Sequence, residues 1–522
     1  MRYKYISLTL LAALVAANKI DAQAIRSVPK LVVNITIDQF NTNFLEAFAP
    51  LYGEDGFKKV LEKGMVYSNA SYPFSSIDRA SAIAAISTGT TPYYNSIIGS
   101  RWLSRESLRP MFCVDDDKFI GFSTLENSSP RQLKTSTIGD ELKISSNGKS
   151  QVYSVAPFRE AAILSAGHAA DGAIWIDDND GYWCSTSYYS DSEPSWLNAY
   201  NRLNVTTFDE LEWKPTTLYS GELSKVTGRD LHDPFKHTFK GDKRFYEYKQ
   251  SGLVNENVTR TALQCIVSNA LGIDGQTDLL NITYYAGYYD NKTLSECQME
   301  LLDTYLRLDK ELSKLIGTIE QRIGSENVLF FITSTGYCNE GNTDYSKYKI
   351  PSGVFNISRN GNLLNMYFGA LWGQGRYVET TFDSQIYLNH KLLEQKRISL
   401  GDATKRAQEF LTQLSGVSNV YTSLQLKSNN NQNIYKIRNS FHPERNGDII
   451  IEIAPGWKLV NDEYQDNNQQ KISYTRFPII IYGANYEAAQ ISTPVTTDRI
   501  APSIAKAIRI RAPNACTSEP LF

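Results

Sequence analysis

Two strand-like segments end where α/β proteins usually place their chemistry, and their last residues differ in type. The run LVVNITID reads as a buried strand that closes on the carboxylate of Asp38. The run VLFFI, residues 328–332, is equally apolar, but it closes on TSTG, which includes Thr335 and Gly336. Catalytic and ligand-binding groups collect at the carboxyl ends of strands in an open α/β sheet. The second strand end therefore supplies hydroxyl groups but no acid, imidazole or thiol.

Side chains that could bind a metal or act as a strong nucleophile are few. The six cysteines show no CxxC or zinc-ribbon spacing, so we expect mainly buried free thiols, with room for one or two disulfide bridges. The five histidines are scattered, and we expect each of them to have a structural or solvent-exposed role. They are His168, His232, His237, His390 and His442.

The start of the chain has the features of a cleaved export signal. Residues 1–24 combine a basic start, an apolar core too short to span a bilayer, and a small-x-small cleavage site. No later segment has about 18 uninterrupted apolar residues, so we expect no transmembrane helix. The formal net charge of −3 argues against a nucleic-acid partner. These features predict an exported protein that is periplasmic, associated with the outer membrane, or secreted.

The elements that would position these residues alternate along the chain. Amphipathic patterns predict helices between strands, and the longest covers LLDTYLRLDKELSKLIGTIEQRIG. This order predicts an α/β fold with a mostly parallel sheet covered by helices. Short apolar runs predict strands at residues 31–38, 151–157, 172–178, 278–285, 328–332 and 475–486.

Several collinear blocks resemble the PafA-type alkaline phosphatases, within the superfamily that also holds the nucleotide pyrophosphatases/phosphodiesterases. They include LVVNITIDQF, GFKKVLEKGMVYSNASYPF, ISTGTTPYYNSIIGSRW, HPERNGDIIIEIAPGW and TTDRIAPSIAKAIRI. The resemblance covers essentially the whole mature chain. It implies a single three-layer α/β/α domain over residues 25–522, with a cap subdomain inserted at roughly residues 340–440.

The resemblance also implies a site with two zinc ions, held by three Asp and three His, and a Thr or Ser nucleophile between them. Two metal ions promote phosphoryl transfer by clamping the attacking and leaving oxygens. Asp38 matches the first metal-binding Asp. The nucleophile position falls on Arg79, whose guanidinium stays protonated and cannot attack phosphorus. The other ligand positions fall on Tyr288, Lys292, Thr335, Gly336 and Asn467, so we predict no bound cofactor.

The positions that would contact the phosphate group also depart from the family pattern. A Lys-x-Arg pair of the family falls on Phe158 and Glu160, and an Asn of the family falls on Ser100. A carboxylate at such a position repels a phosphate dianion by about 1 kcal/mol in water and by several kcal/mol when desolvated.

Two ways of rebuilding the chemistry receive little support from the sequence. Asp233 and His237 have the family's Asp-x-x-x-His spacing, but they lie far in sequence from the 278–285 strand. Ser75 and Ser76 are candidate replacement nucleophiles, yet serine needs a base or a metal for activation, and we expect both to cap the following helix. A local ion pair between Asp78 and Arg79 is a further expectation, with Arg79 filling the space of a missing zinc ion.

Two functional classes follow from these residues. The first is a pseudoenzyme with an alkaline-phosphatase-like fold, acting as a binding or scaffold module for an envelope protein or a glycan. The second is a divergent phosphomonoesterase or phosphodiesterase that works with one metal ion on Asp38, or with none. Arg79 and the missing ligands favour the first class. Zinc content and hydrolysis of an aryl phosphate separate the two.

Overall fold

The computed structural model describes residues 27–204, 211–216, 235–294, 296–340, 348–428, 432–464 and 471–522. Asn467, Asp233 and the predicted export signal therefore lie outside the described residues. Within the described part of the chain, no helix is both long enough and apolar enough to cross a bilayer.

An eleven-stranded, mostly parallel sheet forms the centre of the molecule and confirms the predicted α/β fold. Its strands are β1 (Leu31–Asp38), β2 (Met65–Ser71), β3 (Gly121–Phe122), β4 (Val152–Val155), β5 (Gly172–Ile176), β6 (Trp183–Thr186), β7 (Asp278–Tyr285), β8 (Val328–Ser334), β9 (Phe477–Gly483), β10 (Ala489–Ile491) and β11 (Val495–Thr496). Their order is β10-β2-β9-β8-β1-β7-β4-β5-β6-β3, with β11 beside β2.

Strand β1 lies between β7 and β8 and pairs in parallel with both. All eight of its residues are buried, although Asn34, Thr36 and Asp38 interrupt the apolar run. Strand β8 continues two residues beyond the predicted run, to Ser334. The late strand β9 is buried, as predicted, but it runs antiparallel to both of its neighbours. The carboxyl ends of β1, β7 and β8 thus meet at one edge of the sheet.

Helices cover the sheet. Helix α1 (Arg79–Thr88) packs on α2 (Arg159–Ala166), which in turn packs on β4, β5 and β7. The long helix α3 (Gln298–Ile323) packs on the helix Val254–Ser268 and on β8. The other α-helices are Thr42–Ala47, Phe57–Lys63, Pro92–Asn95, Ile138–Ser145, Ser195–Asn204, Arg244–Lys249, His390–Gln395, Leu400–Leu411, Ser423–Ser428, Tyr435–Ser440 and Ile500–Ile508.

A smaller unit has its own apolar core, built from buried residues between Phe355 and Ile451. It contains helix α4 (Ile357–Trp372) and a four-stranded sheet made of Val378–Phe382, Gln385–Leu388, Val417–Thr422 and Ile449–Ile453. Four short strand pairs complete the structure: Arg101–Leu103 with Pro110–Phe112, Glu212–Trp213 with His237–Thr238, Tyr337–Glu340 with Lys471–Tyr474, and Gly353–Asn356 with Trp457–Val460.

No disulfide joins the six cysteines, all of which lie among the described residues. Five of them are buried, and Cys516 is partly exposed.

Candidate functional site

Asp38 ends β1 and is fully buried, and neighbouring side chains occupy both of its carboxylate oxygens. Oδ2 accepts a hydrogen bond from Arg79 Nε at 2.8 Å, and Oδ1 accepts one from the Thr335 hydroxyl at 2.9 Å. Thr335 Oγ1 in turn accepts the backbone N–H of Gln39 at 2.8 Å. Gln39 has a φ of 61°, so the chain turns sharply just after the carboxylate. The ends of β1 and β8 are thus joined through side chains.

Arg79 is the first residue of helix α1, and its guanidinium points at Asp38. Nη1 donates to Glu160 Oε1 at 2.8 Å, so one cation binds two carboxylates. The guanidinium carbon lies 3.3 Å from the centroid of the Phe158 ring, a stacked cation–π contact. A cation at a helix N-terminus opposes the helix dipole, and the two carboxylates offset that cost. This orientation is the one that the hypothesis of Arg79 filling the space of a missing zinc ion requires.

The charges in this cluster stabilise one another. Burial alone would lower the pKa of Arg79, but Asp38, Tyr337 and Glu160 hold it well above its ordinary value. Burial alone would raise the pKa of Glu160, but Arg79 holds it below its usual range. With one guanidinium and two carboxylates, the cluster of Asp38, Arg79 and Glu160 has a formal charge of −1.

Asp78 caps helix α1 and does not form the expected local ion pair with Arg79. Its Oδ1 accepts the backbone N–H of Ser81 at 2.9 Å, while the hydroxyl of Ser81 accepts the N–H of Asp78 at 3.0 Å. Asp78 Oδ2 accepts the N–H of Ser100 at 2.6 Å and its hydroxyl at 2.7 Å. Ser100 is therefore held by the helix cap. Both oxygens of the Asp78 carboxylate accept hydrogen bonds from Ser81 and Ser100, and Arg79 pairs with Asp38 and Glu160 instead.

The expectation that Ser75 and Ser76 cap helix α1 is wrong, because Asp78 takes that position. The backbone N–H groups of both serines donate to Ser440 Oγ, at 2.9 and 3.0 Å. Ser75 Oγ also lies 3.2 Å from Ser440 Oγ. These contacts tie the segment before α1 to the helix Tyr435–Ser440, and they provide no base for either hydroxyl.

Two more of the implied ligand positions carry residues that pack rather than bind. Tyr288 is buried and contacts Phe44 edge-on, with 6.1 Å between ring centroids. Gly336 has a φ of 70°, and a Cβ there would lie 2.6 Å from the Phe477 ring and 2.7 Å from the Tyr72 ring. The space beside the end of β8 is therefore filled by aromatic rings.

Lys292 also departs from the ligand role that the alignment position implies. Its ammonium lies 5.3 Å from the centroid of the Tyr289 ring, as a cation–π contact. The structure thus brings Asp38, Thr335, Arg79 and Glu160 into one hydrogen-bonded chain and assigns Lys292 to a separate contact.

The residues present do not fit a two-zinc centre. In the part of the chain that the structure describes, no three His, Cys, Asp or Glu side chains come close enough together to hold a metal ion. Asp38, the one matching ligand, already binds Arg79 and Thr335. A metal ion at Asp38 would have to displace a buried guanidinium.

Three of the histidines in the described part of the chain have other partners. His168 Nδ1 lies 2.9 Å from Asp140 Oδ2, and its Nε2 lies 3.0 Å from the Leu133 carbonyl oxygen. His390 Nε2 lies 2.9 Å from Asp448 Oδ1, and His237 Nε2 lies 2.8 Å from Glu300 Oε1.

Three phenol side chains near the cluster were missed by the sequence reasoning. They belong to Tyr72, Tyr285 and Tyr337, which are all buried. Burial, followed by the charge of Asp38, raises the pKa of each phenol well above its ordinary value. These residues come from three distant segments, so no local spacing could have indicated them.

Comparison with known proteins identifies the family of this chain. Residues 32–475 match the model of the type I phosphodiesterase / nucleotide pyrophosphatase family. The chain belongs to this family. Among its relatives, Alkaline phosphatase PhoV of Synechococcus elongatus is 27% identical over 93% of this chain and 91% of its own length. Alkaline phosphatase PafA of Elizabethkingia meningoseptica is 26% identical over 98% of both chains.

The solved structure of wild-type alkaline phosphatase PafA superimposes with a TM-score of 0.77. The match covers 95% of this chain and 98% of that one, at 23% identity. The predicted resemblance to the alkaline phosphatase superfamily is therefore confirmed for both the family and the fold.

Proposed function

We propose that this member of the phosphodiesterase family is a pseudoenzyme, an exported protein that acts as a binding or scaffold module in the cell envelope. The observation that supports the proposal is the pair of hydrogen bonds from Arg79 and Thr335 to the two oxygens of Asp38. A protonated guanidinium thus stands at the position of the nucleophile and against the position of a metal ion. Arg79 thus takes the place of the nucleophile and blocks a metal ion, and two-metal phosphoryl transfer needs both.

The hydroxyl groups near the cluster do not replace the nucleophile. The Thr335 hydroxyl donates a hydrogen bond to Asp38 and accepts one from the Gln39 N–H, so its oxygen is held in place at the strand end. Ser100 donates to the helix cap formed by Asp78. A hydroxyl nucleophile needs a general base or a metal ion. Each of these hydroxyls donates a hydrogen bond to a carboxylate. The same carboxylates accept hydrogen bonds from Arg79 and from the backbone of α1.

The charge of the cluster also opposes a phosphate substrate. Asp38 and Glu160 together exceed the charge of Arg79 by one unit, and Glu160 lies at the position of the family's cationic clamp. At an effective dielectric constant of about 20, one negative charge about 5 Å from a dianion costs on the order of several kcal/mol. Binding of a phosphate ester would therefore be weakened before any chemical step.

Hydrolysis of phosphate esters is the second candidate function, and the comparisons favour it. The two relatives described above are alkaline phosphatases that match almost the whole chain. A metal-dependent hydrolase would need Arg79 to leave Asp38 and a metal ion to replace it.

An assay of the mature chain tests the proposal. The zinc-loaded protein is incubated with 4-nitrophenyl phosphate and with bis(4-nitrophenyl) phosphate at alkaline pH, beside an Asp38→Asn variant that keeps the shape of the side chain. We expect both proteins to release nitrophenol at the same background rate. A wild-type rate at least tenfold above that of the variant would reject the pseudoenzyme and support the hydrolase.

We also propose an envelope protein or a glycan as the partner. Affinity capture from an envelope extract, with quantitative comparison to a mock column, tests this part. Failure to enrich any envelope component would contradict the scaffold role.

A further inference from the structure

A small polar cavity lies in the smaller unit, between helix α4 and the strand Val378–Phe382. Its volume is about 260 Å³. The strand lines it with Thr380 and Thr381, and α4 lines it with four residues at the spacing of one helical face. These four are Ser358, Gly361, Asn362 and Asn365. Ligand pockets are usually lined mainly by apolar side chains. A cavity bounded by hydroxyl and amide groups therefore suits a ligand that is itself polar over most of its surface.

One hydroxyl in the wall of this cavity has no hydrogen-bond partner among the described residues. Thr381 is only 2% exposed, and its Oγ1 is the unpaired atom. The helix lies close to the strand here, since a Cβ on Gly361 would lie 2.8 Å from Thr381 Cγ2. A buried hydroxyl without a partner destabilises a fold. A ligand that pairs with Thr381 Oγ1 would gain a hydrogen bond without breaking one within the protein.

Other parts of the wall are fixed by hydrogen bonds. Asn365 Oδ1 accepts the backbone N–H groups of Tyr377 and Val378, at 2.7 and 3.1 Å. Ser358 Oγ donates to Asn461 Oδ1 at 2.6 Å. Because these side chains are already ordered, a ligand would bind with little loss of conformational entropy in the protein.

The charged groups around the cavity belong to Arg376, Glu379 and Glu463. Arg376 Nη2 donates to the Glu379 carbonyl oxygen at 2.7 Å, which holds the guanidinium beside the strand. Glu463 Oε2 accepts from the Thr380 hydroxyl at 3.1 Å. One guanidinium and two carboxylates give a formal charge of −1, which disfavours an anion such as phosphate. The cavity thus offers hydrogen-bond donors and acceptors together, without an excess of positive charge.

We infer that this cavity binds one ring of an uncharged sugar. Each sugar hydroxyl both donates and accepts hydrogen bonds, so one ring can pair with the Thr381 hydroxyl, the Asn362 amide and the charged groups at the same time. A hexose has about twelve non-hydrogen atoms, fewer than the ligands that fill pockets of roughly 300–1,000 Å³, so its size suits the cavity. The inference rests on the proposed function only for the glycan as the class of partner. A failure of sugar binding would leave the assignment of Arg79 unchanged.

Saturation-transfer difference NMR on the mature chain tests the inference. The probes are methyl α-D-glucopyranoside, methyl α-D-mannopyranoside and methyl β-D-galactopyranoside, with inorganic phosphate as a competitor. We expect at least one glycoside to bind with a dissociation constant on the order of 1 mM, as ordinary ligand efficiency gives for about twelve atoms. Phosphate should not displace it.

The variant Thr381→Val separates sugar binding from folding. Valine has nearly the shape of threonine and lacks the unpaired hydroxyl, so the urea midpoint should stay the same or rise. The dissociation constant of the sugar should rise at least fivefold. Asn362→Ala changes an exposed residue and should also weaken binding, with an unchanged circular dichroism spectrum.

Thr404→Val is the matched control in the same unit. Thr404 is buried like Thr381, but its hydroxyl donates to the Leu400 carbonyl oxygen at 2.8 Å, and it does not line the cavity. We expect this control to bind the sugar as the wild type does.

Three results would overturn the inference. The first is that none of the three glycosides binds at up to about 50 mM, which would mean that the cavity holds water only. The second is sugar binding that both Thr381→Val and Asn362→Ala leave unchanged, which would place the sugar elsewhere. The third is phosphate binding that is tighter than that of any glycoside, which would show that the cavity selects an anion through Arg376.

Discussion

Replacing Arg79 with methionine tests whether the guanidinium stabilises the cluster in the absence of metal. The change removes the hydrogen bonds to Asp38 and Glu160, both 2.8 Å long, and keeps an unbranched side chain over Phe158. Asp38 is fully buried, so its charge would lose its only cationic partner in the cluster. Removing one partner of a buried ion pair typically costs about 3–5 kcal/mol. We expect the Arg79→Met variant to lose an amount in that range.

The assay is urea denaturation followed by tryptophan fluorescence, at about pH 8 and about pH 5. In the wild type Arg79 lowers the pKa of Glu160, so this pair stabilises the fold at neutral pH and loses that effect as the pH falls through the lowered value. Without Arg79, burial raises the pKa of Glu160 instead. A raised carboxyl pKa makes the variant gain stability as the pH falls toward 5. The difference from the wild type should therefore shrink at pH 5.

Two further variants serve as controls for this experiment. Arg79→Lys keeps the charge but loses the forked geometry, so its loss should be intermediate. Arg406→Met removes an exposed pair with Glu409 and should cost less than about 1 kcal/mol. The reasoning would be refuted if Arg79→Met cost no more than Arg406→Met, or if its loss were equal at both pH values.

Two further predictions concern His168 and Gly336. Burial alone would lower the pKa of His168, but Asp140 raises it above its ordinary value, so the charged imidazole stabilises the fold below about pH 6.5 and that effect is lost as the pH rises through the raised value. His168→Gln should therefore flatten the fall in urea midpoint between about pH 6 and pH 9, and an unchanged slope would contradict the assignment. Gly336→Ala should cost roughly 2–4 kcal/mol, because its φ is 70° and a Cβ would lie 2.6 Å from the Phe477 ring. Gly148→Ala, at a φ of 77° with nothing within 4 Å, should cost about 1 kcal/mol, and equal losses at the two glycines would mean that the Phe477 contact is unimportant.

Much of the fold could be predicted because the central strands are rich in apolar residues. Strands β1, β7 and β8 are buried on both faces, so their sequences indicate buried parallel strands without help from their neighbours. The end of β1 at Asp38 could be predicted for the same reason. The antiparallel direction of β9 could not, because direction depends on how the chain returns to the sheet.

The arrangement of the site was only partly predictable. Asp78 was expected to pair with Arg79, but the guanidinium donates to Asp38 instead. The helix cap was assigned to Ser75 and Ser76, but Asp78 forms it, since all three are good capping residues and only the backbone path decides between them. The partner of Arg79 on the other side, Glu160, comes from a helix about eighty residues away, and no local pattern could indicate that contact.

A count of zinc per chain tests whether Arg79 occupies the place of the metal ions. The mature wild-type protein is loaded with excess zinc, passed through a desalting column and analysed by inductively coupled plasma mass spectrometry, beside the Arg79→Met variant. We expect less than about 0.1 zinc per chain in the wild type. About two zinc ions per wild-type chain, retained after desalting, would contradict it.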